Sequence, residues 1–381
     1  MKVYFDNSAT TAPCPVAVQA VSEAMIVNWG NPSSLHYSGN SANALLESSR
    51  KAVADRLGCD PGEVYFTSGG TESNNTALFG AAYQMRRQGS RIVTTSIEHP
   101  SVYEAARRLS AEGFDVVMLK PDAYGNISKE ALFEAITPDT VLVSMMLVNN
   151  ELGSILPVQS IRTAVKRAKS PALIHCDAVQ AFGKLPFTPA SLGADLISVS
   201  SHKIHGPKGS GALYIRSKVK IKPLHYGGEQ EKQLRPGTEA MPAIAGFGAA
   251  AKALPDTKQE LERVTKLRDY LVKRLEDTGI AVINSPADAL PYITGISVPG
   301  IKSEPLLNYL SERGICISSG SACSKGKKSR VLTEIGLAPD RLESPVRISF
   351  SRYNTKEEVD YFIQTLIAAK RDIMPVKTEK K

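Results

Sequence analysis

Apolar and polar positions follow two patterns along the chain, one with helical spacing and one with short continuous apolar runs. Residues 42–57 carry apolar side chains three or four positions apart, and a stretch from about Glu72 repeats this pattern. Such spacing is typical of amphipathic helices. The continuous apolar runs are typical of strands buried on both faces. They lie at residues 91–96, 116–119, 141–148, 172–176, 196–199 and 211–215.

The alternation of these helices and strands up to about residue 215 predicts an α/β fold with a mainly parallel sheet. Beyond Pro255 the pattern changes to a long charged helix, a strand-like run at 293–298 and a helix from Ser303 that stops at Gly314. We therefore predict two domains. The large domain spans residues 16–255, and a smaller α+β domain combines residues 1–15 and 256–381.

Two helix starts carry the pattern of a capping box, in which a hydroxyl residue precedes an acidic residue by three positions. One is Ser101 with Glu104, and the other is Thr355 with Glu358. We expect helices to begin at both places.

Composition and charge narrow the class of protein. The 381 residues are 42% hydrophobic and 22% charged, as in ordinary globular chains. No apolar run has transmembrane length and the first residues lack the pattern of a signal peptide, so we expect a cytoplasmic protein without a membrane partner. The five scattered cysteines argue against a disulfide framework. The net charge of +8 is spread over many helices, so we expect no direct contact with nucleic acid.

Lys203 follows the apolar run 196–199, in a stretch rich in hydroxyls, imidazoles and glycines at residues 200–211. A strand that delivers an amine to its own end, followed by a turn whose amides can approach an anion, suits covalent chemistry with a phosphorylated aldehyde. A solvated basic loop is the alternative for a single lysine. The other strand ends therefore decide between the two readings.

Three further strands end in polar residues with site chemistry, and the carboxyl ends of parallel strands are where such sheets bind ligands. Asp177 and Gln180 follow one run; the carboxylate would pair with a pyridinium nitrogen or cap a helix. His99 would stack on a ring, move protons or cap a helix. Asn150 would hold a ring hydroxyl or a carboxylate, or form a turn.

Two more segments offer anion-binding groups. The turn containing Gly70 and Thr71 opens a helix after a strand, so its backbone amides could hold a phosphate or serve structure alone. Arg347 lies inside a strand pattern, where a guanidinium would grip a substrate carboxylate or form an internal salt bridge.

Cys323 lies in a small polar stretch, residues 317–328, that is rich in glycine, serine and lysine. Nearby cations favour the thiolate, which is the nucleophilic form of cysteine. We therefore interpret Cys323 as a nucleophile. Cys176 and Cys316 neighbour apolar strands and are expected to be inert.

Taken together, these segments resemble the cysteine desulfurases, which are class V aminotransferase-like enzymes with the type I fold of pyridoxal-phosphate-dependent transferases. The resemblance runs nearly end to end. It rests on residues 4–11, 30–34, 70–72, 98–99, 149–151, 177–180, 200–209, 235–238 and 319–323.

The resemblance implies that pyridoxal 5'-phosphate is the cofactor, L-cysteine the substrate and L-alanine a product, with the sulfur retained on Cys323 as a persulfide. A sulfur-acceptor protein for iron–sulfur cluster assembly or tRNA thiolation would then take that sulfur. No resident metal is implied, although the persulfide would meet a cluster during transfer. The family is homodimeric.

The resemblance also assigns roles to single residues. Lys203 would bond covalently to the cofactor, and His99 or Lys203 would move protons. Asp177, His99 and Gln180 would hold the ring, while Asn150 and Arg347 would face cofactor and substrate. The remaining assignments concern the phosphate. Gly70, Thr71, Ser200 and His202 would hold it from the same subunit, and Thr238 would reach it from the neighbouring subunit.

Pro236 and Ala240 depart from the family pattern near Thr238, and the lysine-rich sequence after Cys323 departs from it as well. Two alternative functions remain at this point. One is a selenocysteine lyase or another aminotransferase-like enzyme of the same fold. The other is a sulfur carrier, scaffold-binding protein or basic nucleic-acid binder without catalysis.

Overall fold

The computed structural model describes residues 1–320 and 328–373. Its strands are β1 (Val3–Tyr4), β2 (Val64–Thr67), β3 (Arg91–Thr95), β4 (Asp115–Leu119), β5 (Thr140–Met146), β6 (Leu173–Asp177), β7 (Leu196–Ser200), β8 (Gly211–Ile215), β9 (Val282–Ile283), β10 (Ile293–Ser297), β11 (Ile315–Cys316) and β12 (Pro345–Ser349). Its helices are α1 (Pro15–Ile26), α2 (Tyr37–Leu57), α3 (Gly70–Met85), α4 (Pro100–Ala111), α5 (Lys129–Ala135), α6 (Val158–Arg167), α7 (Pro189–Leu192), α8 (Met241–Lys252), α9 (Thr257–Thr278), α10 (Ser303–Glu312), α11 (Arg330–Glu334), α12 (Pro339–Glu343) and α13 (Lys356–Asp372).

A seven-stranded sheet with the order β2-β8-β7-β6-β5-β3-β4 forms the centre of the molecule. Strands β7, β6, β5, β3 and β4 run parallel, whereas β8 is antiparallel to both β7 and β2. The strands β5, β7 and β8 are buried along their whole length, as their continuous apolar sequences predict. The predicted α/β fold with a mainly parallel sheet is confirmed.

The carboxyl-terminal part builds a second, antiparallel sheet with the order β12-β10-β9. The first strand of the chain, β1, pairs in parallel with β11, so the amino terminus joins this later part of the chain. Phe5 packs edge-on against Phe350 and Phe362, with ring centroids 5.1 and 6.0 Å apart. The proposed domain boundary at residue 255 stays a prediction.

One predicted helix start is confirmed and one is wrong. Thr355 forms the expected capping box at the start of α13. The capping box at Ser101 does not form, because α4 already begins at Pro100 and its N-cap is His99. Proline suits the first position of a helix, where no backbone donor is needed, so the cap moves back to the preceding residue.

No helix in the described ranges is long and apolar enough to cross a membrane. The described cysteines Cys14, Cys59, Cys176 and Cys316 are all free. Cys176 is buried in β6, where burial raises the pKa of its thiol. Cys316, by contrast, is exposed, because β11 is a two-residue strand paired only with β1 in the described part of the chain.

Candidate active site

A cavity of about 330 Å³ lies at the carboxyl ends of β5, β6 and β7, beside the first turn of α3. Its volume is in the range of sites for small ligands. The structure brings ten of the predicted site residues to its wall, namely Gly70, Thr71, His99, Asn150, Asp177, Gln180, Ser200, His202, Lys203 and Arg347.

Lys203 reaches the cavity because β7 ends at Ser200 and a tight 3₁₀ turn follows at once. Its Nζ atom donates hydrogen bonds to the carbonyl oxygens of Ser8 and, at 2.8 Å, Ala9. Burial, and then the nearby cation of Arg347, lower the pKa of Lys203 to about 8. A substantial fraction of this amine is therefore neutral near pH 8, as a nucleophile or base requires.

The amino-terminal residues that receive Lys203 are held in place from two directions. The backbone amide of Ser8 donates to Ser349 Oγ at 2.9 Å, and Gln180 Nε2 donates to the Ser8 carbonyl at 3.0 Å. The Thr11 hydroxyl donates to the carbonyl of His202 at 2.9 Å. Sequence reasoning gave Ser8 and Ala9 no role, because they act through backbone carbonyls, which leave no side-chain signature.

Asp177 is the last residue of β6, and both of its carboxylate oxygens accept hydrogen bonds. Asn74 Nδ2 donates to Oδ2 at 2.7 Å, and the amide of Val179 donates to Oδ1 at 3.0 Å. Asn74 also donates to Ser101 Oγ at 2.8 Å, which links α3 to the start of α4. The sequence offered Asn74 only as part of a helix, and its role in orienting Asp177 was missed.

His99 caps α4, as one of its predicted roles requires, and it also lines the cavity. Its Nδ1 accepts from the amide of Ser101 at 3.2 Å and lies 2.8 Å from Ser101 Oγ. Burial lowers the pKa of His99, while the charge of Asp177 opposes this effect. The imidazole is therefore held mainly in its neutral form at neutral pH.

The first turn of α3 and the end of β7 meet at one end of the cavity. A Cβ atom on Gly70 would lie 2.8 Å from Val179 Cγ2, so only glycine allows the backbone to approach this closely. The first amides of a helix lack intrahelical partners and attract anions. His202 lies beside them with Nδ1 3.1 Å from Thr10 Oγ1, and burial lowers its pKa to about 4.

Several buried polar atoms on the cavity wall have no hydrogen-bond partner among the described residues. They are Ser8 Oγ, Asn74 Oδ1, Gln180 Oε1 and Ser200 Oγ. Buried polar groups are normally paired, because an unpaired one costs about 1–3 kcal/mol. Such a cluster on one wall indicates that the cavity binds a polar ligand.

Arg347 lies in β12 and is 3% exposed. It forms an internal salt bridge, which was one of the two roles that the sequence predicted for it. Its Nη2 contacts Asp6 Oδ1 at 2.8 Å, and its Nη1 donates to the carbonyls of Asn150 and Gly320, each at 2.9 Å. Its buried Nε has no partner in residues 1–320 and 328–373. The guanidinium therefore keeps donor capacity that the described residues do not use, including Nε.

One predicted site residue in the described part of the chain, Thr238, does not join this cavity wall. Thr238 is exposed and lies outside it. Its segment is tied to α3 by an ion pair of 3.0 Å between Arg235 and Glu72. Cys323 lies outside the described residues. Gly320 and Arg330, on either side of it in sequence, line the cavity.

The turn before Thr238 has an unusual backbone. Glu231, Lys232 and Gln233 all have positive φ angles, of 46, 55 and 67°. Residues other than glycine rarely adopt such angles. Arg50 holds the Glu231 carboxylate through two hydrogen bonds of 2.8 Å, and the Phe66 amide adds a third at 2.7 Å. These buried bonds offset the cost of the left-handed turn.

Buried acidic residues near the cavity were also missed. Glu98 accepts from Thr95 Oγ1 at 2.7 Å and from the Met146 amide at 3.0 Å, and burial raises its pKa to about 8. Glu151 lies on another part of the wall. Both residues directly neighbour predicted site residues, a signal that the sequence did offer. In the described ranges, no group of three or more His, Cys, Asp or Glu residues could hold a metal ion.

Comparisons with known proteins identify the family of the chain. The family described as Aminotransferase class-V matches residues 3–362. The cysteine desulfurase IscS of Methanosarcina thermophila is 40% identical over 96% of this chain and 91% of its own length.

Among solved structures, a NifS-like protein is 39% identical, with a TM-score of 0.92 over 98% of this chain and 100% of that one. Another, described as SspA in complex with cysteine, is 33% identical, with a TM-score of 0.82 over 93% of this chain and 100% of that one. Matches of this identity and length establish the family, so the chain belongs to the class-V aminotransferases and, among them, to the cysteine desulfurases.

Proposed function

We propose that the protein is a pyridoxal-phosphate-dependent cysteine desulfurase, which converts L-cysteine to L-alanine and keeps the sulfur on Cys323. The observation that carries the proposal is the convergence of Lys203, Asp177 and Arg347 on one cavity. These residues supply an amine with a lowered pKa, an oriented carboxylate and a guanidinium with a spare donor. A carrier or scaffold-binding protein would need none of these three.

The cavity has the groups that pyridoxal phosphate requires. Gly70, Thr71, Ser200 and His202 would hold its phosphate, with the free Ser200 hydroxyl and the first amides of α3 as donors. When bound, the cofactor supplies an electron sink that makes proton loss from an amino acid α-carbon feasible.

The ring of the cofactor would lie among residues from three different strand ends. Asp177 would pair with the pyridine nitrogen, since two donors already fix its carboxylate. His99 would stack on the ring. Gln180 would contact the ring hydroxyl through Oε1. This oxygen has no partner among the described residues, whereas Nε2 already donates to the carbonyl of Ser8.

Arg347 and Asn150 would orient the substrate carboxylate. Asp6, Asn150 and Gly320 use three of the five N–H donors of Arg347, and Nε is among those left unpaired in the described residues. The similar solved protein described in complex with cysteine supports a cysteine-sized ligand in this fold.

We assign removal of the proton from the substrate α-carbon to Lys203, because burial lowers the pKa of its amine to about 8. His99 is the second neutral base at the wall. The hydrogen bonds of Lys203 to Ser8 and Ala9 keep its amine at the end of β7.

The proposed transfer of sulfur from the substrate requires only one thiol of the protein, that of Cys323. The Cys323 thiolate attacks the substrate sulfur, an S–S bond forms, and the bond between that sulfur and the β-carbon breaks. The electron pair of the broken bond stays on carbon and is protonated, which gives alanine. Both sulfur atoms are oxidised and the β-carbon is reduced, so no external oxidant is needed. Gly320 lies on the cavity wall, and Cys323 follows it by three residues in sequence, a length of chain that can span at most about 10 Å.

The proposed enzyme acts as a homodimer in the cytoplasm and passes its sulfur to an acceptor protein for iron–sulfur cluster assembly or tRNA thiolation. The segment after α1 supports a second copy of the chain as its partner, since Trp29, Leu35 and Tyr37 are 71, 94 and 86% exposed. In the dimer, Thr238 would reach the phosphate of the neighbouring cofactor.

Replacement of Cys323 by Ser tests the proposal. The variant should keep the visible absorption of the bound cofactor but lose persulfide and sulfide formation, because the serine hydroxyl cannot accept the sulfur. Alanine and sulfide are measured together after incubation with cysteine. The matched control is Cys316→Ser, which removes an exposed cysteine on β11 and should behave like the wild type.

Retained sulfide release by Cys323→Ser would contradict the proposal. A transaminated product in place of alanine would favour an aminotransferase. Activity with selenocysteine alone would favour a selenocysteine lyase, and a preparation that stays colourless with added pyridoxal phosphate would favour a non-enzymatic carrier.

A further inference from the structure

Glu151 is a buried acid that the proposed mechanism does not use. It follows Asn150 directly, and its side chain enters the wall of the cavity with the residue 7% exposed. Asn149 Oδ1 accepts hydrogen bonds from the backbone amides of Glu151 and Leu152, at 2.9 and 3.0 Å. The turn after β5 therefore fixes the backbone from which the Glu151 side chain extends.

The carboxylate of Glu151 binds the downstream flank of the Cys323 stretch, which we define as residues 321–327. Ser329 donates its hydroxyl to Glu151 Oε2 at 2.5 Å. The same hydroxyl oxygen accepts from the amide of Leu332 at 3.2 Å, since Ser329 is the N-cap of α11. One serine thus links the start of a helix to the buried carboxylate.

The upstream flank meets the same oxygen atom. A Cβ atom on Gly320 would lie 2.9 Å from Glu151 Oε2, and Gly320 has a φ angle of 101°. The Gly320 backbone is therefore packed directly against the carboxylate. Its carbonyl accepts from Arg347 Nη1, which also donates to the carbonyl of Asn150.

The charges around Glu151 favour this arrangement. Arg347 and Arg330 both stabilise its carboxylate, although burial is the larger effect and the net result is a raised pKa. Arg330 is in turn fixed over the Tyr103 ring, with its guanidinium carbon 3.8 Å from the centroid. Arg330 also donates to the carbonyl of Glu98, next to His99.

We propose that Glu151 is a positioning residue for sulfur transfer, which fixes both flanks of the Cys323 stretch at one point on the cavity wall. The inference rests on the proposed function and names the residue that positions the nucleophile relative to the substrate site. Glu151 touches neither the proposed cofactor groups nor Lys203. Its effect is therefore expected in the transfer of sulfur rather than in the binding of cofactor or substrate.

The physical reason is proximity. A nucleophile held near its target reacts much faster than one that samples many positions, and an error of about 1 Å can reduce the rate about a hundredfold. Gly320 packs against Glu151 Oε2 and Ser329 donates a hydrogen bond to it, so one carboxylate fixes the two described ends from which the nucleophile's segment departs. Without Glu151, the upstream flank still has the Arg347 bond to Gly320, and the downstream flank still has the contacts of Arg330 with Tyr103 and Glu98, but no described side chain then contacts both Gly320 and Ser329.

The test compares Glu151→Ala, Glu151→Gln and the wild type as holoenzymes. After rapid mixing with cysteine, the change in cofactor absorption reports substrate binding and the mass of the Cys323 peptide reports the persulfide. Glu151→Ala should slow persulfide formation about tenfold to a hundredfold while the absorption change stays within about twofold. Glu151→Gln keeps an acceptor for Ser329 and should restore most of the rate.

Ser329→Ala removes the same hydrogen bond from the other side and keeps the test decisive if Glu151→Ala fails to fold. Its effect should be in the same direction and not additive with that of Glu151→Ala. Glu343→Ala, an exposed acid at the end of α12, is the matched control and should equal the wild type.

Persulfide formation at the wild-type rate in Glu151→Ala or, if that variant does not fold, in Ser329→Ala would overturn the inference. An equal loss of cofactor binding in Glu151→Ala and Glu151→Gln would also overturn it, because that result indicates a structural role. A wild type that forms no alanine would instead refute the proposed function.

Discussion

Individual basic residues near the cavity share one property, in that burial favours their neutral forms. The pKa of Lys203 is lowered to about 8, that of Lys184 to about 7 and that of His202 to about 4, with burial as the first cause in each case. The mutual repulsion of these cations adds to the effect. Near pH 8 the site therefore holds neutral His202 together with lysines of which a substantial fraction is neutral, whereas lysines in water are almost fully charged at that pH.

Replacement of Arg347 by Met should raise the pKa of Lys203 from about 8 toward its ordinary range above 10, because the cation of Arg347 is the charge that lowers it. Burial, the larger cause, would persist, so the return is partial. The pKa is obtained from the pH dependence of Lys203 acetylation in cofactor-free protein, followed by peptide mass spectrometry. Arg347→Lys keeps the cation and serves as the control. An unchanged pKa in Arg347→Met would show that burial acts alone.

The sequence predicted the site residues that follow strands. Lys203, Asp177, His99 and Asn150 each stand just past an apolar run, and parallel strands bring such residues to one edge of a sheet. Their proximity was therefore inferable before any coordinates.

Ser8 and Ala9 could not be found in this way. They contact Lys203 through backbone carbonyls across more than 190 residues of sequence, so neither side-chain type nor spacing marks them. Asn74 was hidden for another reason, because it lies within a helical pattern and its partner Asp177 is on a different element.

At the scale of elements, a polar ladder crosses the buried face of three parallel strands. His175 in β6 lies between Ser144 of β5, 2.8 Å from Nδ1, and Ser198 of β7, 3.0 Å from Nε2. All three residues are fully buried. The ladder lies two residues before Asp177 on the same strand, so it fixes the register in which that carboxylate is presented.

Burial lowers the pKa of His175 to about 3, well below the value near 6.5 of an unfolded chain. The unfolded state therefore binds one more proton between these values, and the stability due to neutral His175 is lost as the pH falls from 6.5 toward 3. His175→Gln should reduce the slope of the unfolding free energy against pH by about 1.4 kcal/mol per pH unit in this window. Denaturant titrations at pH 6, 5 and 4 measure it. The exposed His225→Gln is the control, and equal slopes for wild type and His175→Gln would contradict the argument.

The elements themselves were largely predictable, since each continuous apolar run between 91 and 215 is a strand within one or two residues of its expected bounds. The start of α4 was not, because a proline at the first helical position competes with a capping-box pattern that begins one residue later. The left-handed turn at 231–233 also gave no signal. It contains no glycine and depends on Arg50, which is remote in sequence.

At the scale of the whole molecule, the single chain leaves two features without a partner in the described structure. Thr238 lies away from the cavity, and large apolar side chains are exposed from the end of α1 to the start of α2, including Ile26 at 75% and Leu35 at 94%. A second copy of the chain would account for both features. Sequence patterns gave no direct sign of this surface, and the dimer followed only from the family resemblance.

The double replacement Leu35→Asp and Tyr37→Asp should convert the proposed dimer to monomers, because two carboxylates would have to be buried in the interface. Sedimentation velocity measures the change in mass. The monomer should also bind pyridoxal phosphate more weakly, since it lacks Thr238 of the neighbouring subunit. Tyr124→Asp, at an exposed aromatic position in another turn, should remain dimeric. A monomeric wild type would refute the expectation.

The hydrogen bond between Ser8 and Ser349 has a consequence for the synthesis of the protein. The carbonyl groups that receive Lys203 are among the first residues made, yet Ser349, which anchors them through its hydroxyl and its backbone, is translated about 340 residues later. The central sheet can form while the chain is still attached to the ribosome, since its strands end at Ile215. The lysine pocket cannot be completed until the chain beyond Ser349 has emerged. We therefore expect the proposed cofactor to bind only after nearly the whole chain has been synthesised.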